Sequence, residues 1–457
     1  MTTYKDHRLK LQRFRYSPSP LQTFLSLSKH TDYCYMLESA EGPRRLAQYS
    51  FIGFSPSKII EAKNGNYRET NSDGASATIH AEAPLGLLRK VLGENYTTYR
   101  GFRFVGGVVG YISYDSVRYL ESIPNHTRDD LKFPDFEFGV YDDGIVFDHL
   151  TGQAYYYWYN NNRLKEIERL VSKRIASVSL VSEKPRANIA RLDFESMVKS
   201  AKRYIRSGDI FQVVLSKRLE CSFKGDLMNF YKALREINPS PYMYFLKMKD
   251  RAIVGSSPEM LGRVDGRYAE TFPIAGTRPV VEDLAENSRL ELELLKDPKE
   301  RAEHVMLIDL ARNDLGKVCR FGTIKVPEFM TIQQFSHVQH MVSRVTGELR
   351  AGSDSIDVLE AVFPAGTVSG APKKRAMEII EELEPSRRGP YAGAVGYFSY
   401  NGNADFAITI RTLFAQADRA YIQAGAGIVA DSKPSREWLE TEHKARALLH
   451  ALRSGGN

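Results

Sequence analysis

Cysteine is scarce in this chain of 457 residues: only Cys34, Cys221 and Cys319 are present, far apart and odd in number. None forms a CxxC pair, so neither a disulfide framework nor a thiolate zinc site is expected. No apolar run approaches the roughly 18 residues that a membrane-crossing helix needs. The opening MTTYKDHRLKLQRF lacks the apolar stretch of a signal peptide. A reducing, cytoplasmic setting with no membrane association is therefore expected. The net charge of +7 is spread along the chain without a basic block or an aromatic RNA-binding motif, so nucleic acid is not an expected partner. A basic pocket for a small anion accounts for the excess equally well. HExxH, GxSxG and GxxxxGK[ST] are all missing, which argues against metalloprotease, elbow-serine hydrolase and P-loop chemistry. Fixed-period repeats and low-complexity tracts are missing too.

What remains is an ordinary globular composition, 42% hydrophobic and 26% charged, long enough for two to four domains or one large interwoven one. Residues 1–180 are rich in Tyr, Phe and Gly, and "GFRFVGGVVGYISYDSV" and "EFGVYDDGIVFDHLTGQAYYYWYN" read as strands and hairpins. "NRLKEIERLVSKRIASV" has helical spacing, and residues 181–194 read as a linker. From 195 to 457 the pattern predicts an Asp-capped helix over "DFESMVKSAKRYIRSGDI" and a strand over "IFQVVLSKRLECSF". Further strands are expected at "YMYFLKM" and "RAIVGSSPE", and a long helix broken near Pro298 follows. The strands "YAGAVGYFSY", "ADFAITIRTLFA" and "AYIQAGAGIV" then precede a final helix. Strands in series with helices between them predict an α+β fold of large antiparallel sheets packed in a sandwich, helices on the outside.

Two helices carry spaced acids. Glu300 and Glu303 share a face, as do Glu437, Glu440 and Lys444. On spacing alone these read first as solvated faces with ion pairs; facing each other, they would suit a hard cation such as Mg²⁺. "FPAGTVSGAPKKRA", between a predicted strand and a helix, either offers backbone N–H groups to an anion or makes a tight turn. "QAGAGIV" either permits close backbone approach to a ligand or packs a sheet. Glu259 in "SSPEM" and His340 in "FSHVQHMVSRV" are candidate proton carriers, although a histidine in an apolar stretch is more often a core residue.

Eight blocks in order, from "PIAGTRP" and "ERAEHVMLIDLARNDLGKV" through "FSHVQHMVSRVTGEL", "FPAGTVSGAPKKRAMEIIEELEP" and "RRGPYAGAVGYFSY" to "AITIRT", "AGAGIVADS" and "ETEHKA", resemble the chorismate-utilising enzymes. Within them the chain most resembles the large subunits that form anthranilate. "YMLESAEGPRRLAQYSFIGFSP" adds weaker agreement with the aminating members. The resemblance reverses the reading of the acids: it implies Mg²⁺ held by Glu303 and Glu440, with Glu300 and Glu437 behind them. It implies chorismate bound by Tyr391, Arg411, Lys444, the backbone at Gly425 and Gly427, and Gly276-Thr277. Glu259 matches the general acid, His340 the histidine beside the reacting ring, and Thr367 orients the substrate beside them.

Branches that add water carry a lysine where Gln212 stands, and the branch that makes 4-amino-4-deoxychorismate carries one where Ala275 stands. Lys217 matches neither. The neutral pair favours direct ammonia addition, giving anthranilate and pyruvate as the first step toward tryptophan. The 4-aminobenzoate branch is the alternative within the family, and an inactive regulatory or nucleic-acid-binding paralogue is the alternative outside it. The chain shows no glutaminase motif, so the resemblance implies a separate glutamine amidotransferase subunit in a hetero-oligomer. It also implies feedback inhibition by tryptophan through Glu38, Ser39, Asn238, Pro241, Tyr242, Met243, Val395 and Tyr397.

Overall fold

The structure, a computed structural model, describes residues 9–14, 19–39, 48–172, 178–334 and 338–455. Parts of two motif blocks, residues 40–47 and 335–337, lie outside the described residues, as do 173–177 of the helical segment that ends the first third. Two sheets of 13 and 12 strands form the body, and their ladders are antiparallel throughout. Alternating strand residues send one row of side chains between the sheets. Tyr35, Phe51 and Tyr244 from the first sheet meet Val108, Phe138, Tyr397 and Phe406 from the second in one buried cluster. Burying each such Phe stabilises the fold by roughly 1.5–3 kcal/mol.

Both sheets draw on both ends of the chain. In the first, Tyr33–Glu38 pairs with Tyr242–Met248; in the second, Gly107–Ile112 pairs with Ala394–Ser399. The segment read as a linker contributes two short strands, Val181–Ser182 and Arg186–Ala187, both paired with Gln212–Lys224. Helices Leu227–Ile237 and Pro434–Ser454 cover the outer face of the first sheet. Arg191–Arg206 and Lys373–Leu383 cover the strand Gln212–Lys224.

Local departures from the sequence pattern have local causes. The helix from Arg191 starts after Ala190 with no side-chain cap, and Asp193 sits within its first turn. The break expected near Pro298 is present: helix Leu284–Lys296 ends at Asp297, whose carboxylate then accepts from the amides of Lys299 and Glu300 to start helix Pro298–Gly316. Proline at the first helical position loses no hydrogen bond there. "ADFAITIRTLFA" is two strands rather than one. Ala404–Ile408 lies in the second sheet and Thr412–Gln416 in the first, with Arg411 at φ +51° in the crossing. "FPAGTVSGAPKKRA" follows a helix, Ser355–Val362, and not a strand.

Candidate active site

The strand pair Gln212–Lys224 and Arg419–Ile428 forms the floor, with Ser216 opposite Gly425 and Val214 opposite Gly427. A Cβ on Gly425 would lie 2.7 Å from the Tyr391 hydroxyl, and one on Gly427 would lie 2.6 Å from Gln212 Nε2. At Gly425, where the Leu215 carbonyl also lies 3.0 Å from that position, a side chain would press on backbone and on Tyr391. The final helix hangs over this floor. Lys444 donates to the Gly425 carbonyl at 3.0 Å and pairs with Glu440 at 2.7 Å. The Arg411 guanidinium donates to the Lys444 carbonyl at 3.2 Å. Burial pushes Arg411 below the ordinary guanidinium range, while Tyr391 and Glu440 beside it pull it back. Thus the crossing between sheets carries a half-buried cation to the helix that holds Glu440.

Helix Pro298–Gly316 supplies the facing acids. Burial raises Glu303, and the neighbouring charges of Glu300 and Glu440 raise it further; a hydrogen bond from Gln212 Nε2 at 3.1 Å and the Lys299 charge offset part of this. Burial and the Glu440 charge also raise Glu437, and Lys444 and Lys299 lower it. The carboxylates of two helices therefore share one electrostatic neighbourhood. Among the described residues no three acidic, histidine or cysteine side chains converge as a closed ligand set. Such an open, mutually repelling set fits a hard dication that takes few protein oxygens and completes its shell from substrate and water.

Glu259 is buried, 7% exposed, at the end of a cleft that also holds Thr367, Pro273, Ile408 and Asp314. Burial pushes its pKa to about 8, against smaller lowering effects of the Thr367 hydroxyl and the Lys444 charge. The Thr367 hydroxyl is itself buried and makes no hydrogen bond of ordinary geometry, so it is placed to meet a ligand or the carboxyl. His340 Nδ1 lies 2.8 Å from the Gly276 carbonyl and 3.1 Å from the Thr277 hydroxyl. Donation to that carbonyl puts the proton on Nδ1 and the lone pair on Nε2. Burial, with the Arg411 charge, lowers the pKa of the ring against the raising effect of that bond, so the neutral form is favoured. Gly276 also lies against Glu300, whose Oε2 would sit 3.1 Å from a Cβ there.

Ala275 is buried and faces Met341 across the ladder. Arg278, the cation of that turn, binds Glu293 at 2.9 Å, Asp297 at 3.3 Å and Glu300 at 3.5 Å, so it steadies the acidic helices. The lysines of "APKKRA" are similarly engaged. Lys373 pairs with the buried Asp314 at 2.7 Å, and Lys374 approaches Glu121 at 3.7 Å.

The residues expected to bind tryptophan are divided. Glu38 is held bidentately by Arg235 at 2.9 and 3.0 Å and by the Tyr231 hydroxyl at 2.8 Å, with Ser39 next along the chain. Met243, paired with Glu38 in register, packs into the cluster on the outer face of the first sheet. Asn238 reaches Ser256 at 3.1 Å, and Pro241 immediately precedes the strand that carries Met243. Tyr242, Val395 and Tyr397 instead belong to the cluster between the sheets, and Tyr242 donates to Asp405 at 2.9 Å. The strand's alternation puts Met243 and Tyr242 on opposite faces.

Two residues that bear on the site escaped the motif reading. Arg388 is 1% exposed; it pairs with Glu384 at 2.7 Å and donates to the carbonyls of Val368 and Val214, each at 2.7 Å. Its guanidinium lies under the Tyr391 ring, 5.6 Å from the centroid. Glu384 also accepts from the Ser216 amide and hydroxyl, both at 2.8 Å. The pair thus ties the floor strand, the Thr367 turn and Tyr391 together. Its only sequence signal is the buried-looking Arg387-Arg388 doublet before Gly389-Pro390.

The glycine-lined floor, the buried Glu259 with Lys444 near it, and the acids of two helices are thus brought together in one part of the fold. The family model described as chorismate binding enzyme matches residues 32–450, and the chain belongs to that family. Anthranilate synthase component 1 of Methanothermobacter thermautotrophicus is 50% identical over 438 residues, covering 96% of this chain and 93% of that one. Aminodeoxychorismate synthase component 1 of Bacillus subtilis is 42% identical, covering 94% of each chain. The crystal structure of anthranilate synthase component I from Streptococcus pneumoniae TIGR4 superposes with a TM-score of 0.79 at 36% identity, covering 90% of this chain and 93% of that one. No helix among the described residues is long and apolar enough to cross a membrane.

Proposed function

We propose that the chain forms anthranilate and pyruvate from chorismate and ammonia in the cytoplasm, the ammonia coming from a glutamine amidotransferase subunit. Full-length relatives of that name support the reading. The observation that carries it is the neutral pair at the two positions where other branches of the family carry lysine: Gln212, which donates to Glu303, and the buried Ala275. The lysines that serve other branches of the family are replaced at both positions.

Glu303 and Glu440 would hold Mg²⁺, with Glu300 and Glu437 behind them; when bound, the ion neutralises the ring carboxylate and fixes its position. Tyr391, Arg411, Lys444 and the backbone at Gly425 and Gly427 hold the carboxylates of the substrate, with Gly276-Thr277 closing the other side. Ammonia adds at C2 as the C4–oxygen bond breaks, and the ammonium so formed releases one proton to solvent to leave the amine. Glu259, protonated because it is buried, gives its proton to that oxygen, which leaves as water. Thr367 orients the departing hydroxyl. His340, neutral, then accepts the C2 proton through Nε2 as the C3–oxygen bond breaks. The enolpyruvyl group leaves, takes up a proton to become pyruvate, and the ring becomes aromatic.

Tryptophan binding at the Glu38 end of the first sheet remains part of this proposal, and the bidentate Arg235 contact must open for Glu38 to receive an amino group. The test of function is direct: chorismate, Mg²⁺ and ammonium near pH of about 8 should yield anthranilate fluorescence and equimolar pyruvate. An aminated chorismate without pyruvate would favour the alternative raised by the aminodeoxychorismate synthase relative. Ala275→Lys is expected to slow anthranilate formation by at least about tenfold, because it buries an amine opposite Met341, next to the Gly276-Thr277 turn. An unchanged rate and product would remove Ala275 from the argument.

A further inference from the structure

Lys217 sits in the floor strand opposite Ala424, one step from the Ser216–Gly425 pair. It is 2% exposed, and nothing in the proposed chemistry uses it. A buried ammonium is costly unless it is paired, and this one is paired twice on the final helix. Its Nζ lies over the Trp438 ring, 3.1 Å from the centroid, and it forms an ion pair with Glu442. Trp438 also packs edge-on against Phe194, with ring centroids 5.7 Å apart.

The same helix touches the same strand pair at a second point, where Lys444 donates to the Gly425 carbonyl at 3.0 Å and holds Glu440. Trp438 and Glu442 are four apart, so they form one ridge; Glu440 and Lys444, also four apart, form the neighbouring ridge. A helix fixed by one lysine of its own and one lysine of the sheet can neither slide along its axis nor roll about it. One turn of sliding is 5.4 Å, and a small fraction of that suffices to take a carboxylate out of ligand distance.

We propose that Lys217 is a positioning residue: through Trp438 and Glu442 it sets where the final helix presents Glu440 and Lys444. The inference rests on the reading of those two residues as metal- and substrate-binding groups. Arginine keeps the cation and stacks on an indole face, whereas methionine keeps only the apolar stem.

The experiment compares the parent, Lys217→Met, Lys217→Arg and Glu440→Gln in steady-state assays with Mg²⁺, chorismate and ammonium. Trp438 emission is recorded in a Trp158→Phe background, which leaves one tryptophan of the two in the chain. Lys217→Met is expected to raise the Mg²⁺ concentration for half-maximal rate and the chorismate KM by about tenfold. It should leave kcat at saturation within about twofold, with a changed Trp438 emission and an unchanged circular dichroism spectrum. Lys217→Arg is expected to restore most of the loss. Constants unchanged in Lys217→Met beside a responsive Glu440→Gln overturn this inference alone. A Glu440→Gln variant with unchanged Mg²⁺ dependence overturns the site reading and this inference with it. If Lys217→Met does not fold, Glu442→Gln carries the test, because Glu442 is 40% exposed; the same rise in KM supports the clamp, and parent-like constants overturn it.

Discussion

Glu259→Gln is expected to lose about 10²–10⁴-fold in kcat while becoming more stable than the parent at pH 8. Both effects come from burial. The site keeps the acid protonated near neutrality by making its charged form costly, and burial is the largest cause of the shift to about 8. The sign follows from linkage: a carboxyl raised in the folded state contributes its stability in full below the unfolded value. That contribution is lost as pH rises toward the folded value. Glutamine has no proton to lose, so the variant should gain on the order of 2–4 kcal/mol over the parent near pH 8. The gain should vanish toward pH of about 4.5, and chemical denaturation at both pH values measures it. In the parent, kcat with the rate corrected for the free ammonia present should fall as pH rises through about 8. A parent that keeps its kcat to high pH, or a Gln variant of ordinary activity, would remove Glu259 as the proton donor.

Glu303→Gln and Glu440→Gln should each cost about 10²-fold or more in kcat/KM and leave the fold intact. The two carboxylates come from different helices; burial first, then the Glu300 charge and to a lesser extent the Glu440 charge, leave Glu303 above its ordinary range. Removing one charge relieves that repulsion, so the apo protein should be no less stable than the parent. The same change takes away an oxygen that a hard cation requires. Isothermal titration with Mg²⁺ in the presence of chorismate separates the two effects. Activity retained within a factor of about three would refute the metal assignment.

How the chain reads depends on the range of the interaction in question. The strand character of "YMYFLKM", the Asp297-Pro298 break and the period of the final helix follow from neighbours a few residues apart. Those signals were legible, and with them the antiparallel α+β sandwich. "ADFAITIRTLFA" misled because both halves are strand-like, and only packing reveals that the chain changes sheets at Arg411. His340 and His304 illustrate a different limit. Both lie in apolar runs, yet His304 is the fully buried core histidine, bonded to Ser343 at 2.7 Å, while His340 meets the Gly276 turn.

By itself the sequence determined the type of each residue at the motif positions and the lack of lysine at Gln212 and Ala275. Only the tertiary structure decided that Glu303 feels Glu440 more than 130 residues away and that Gln212 is turned onto Glu303. It also decided that Arg388 underlies Tyr391 and that Met243 and Tyr242 face opposite sides of one sheet. Helix and strand periods record contacts along the chain, whereas desolvation and charge coupling depend on groups brought together by packing.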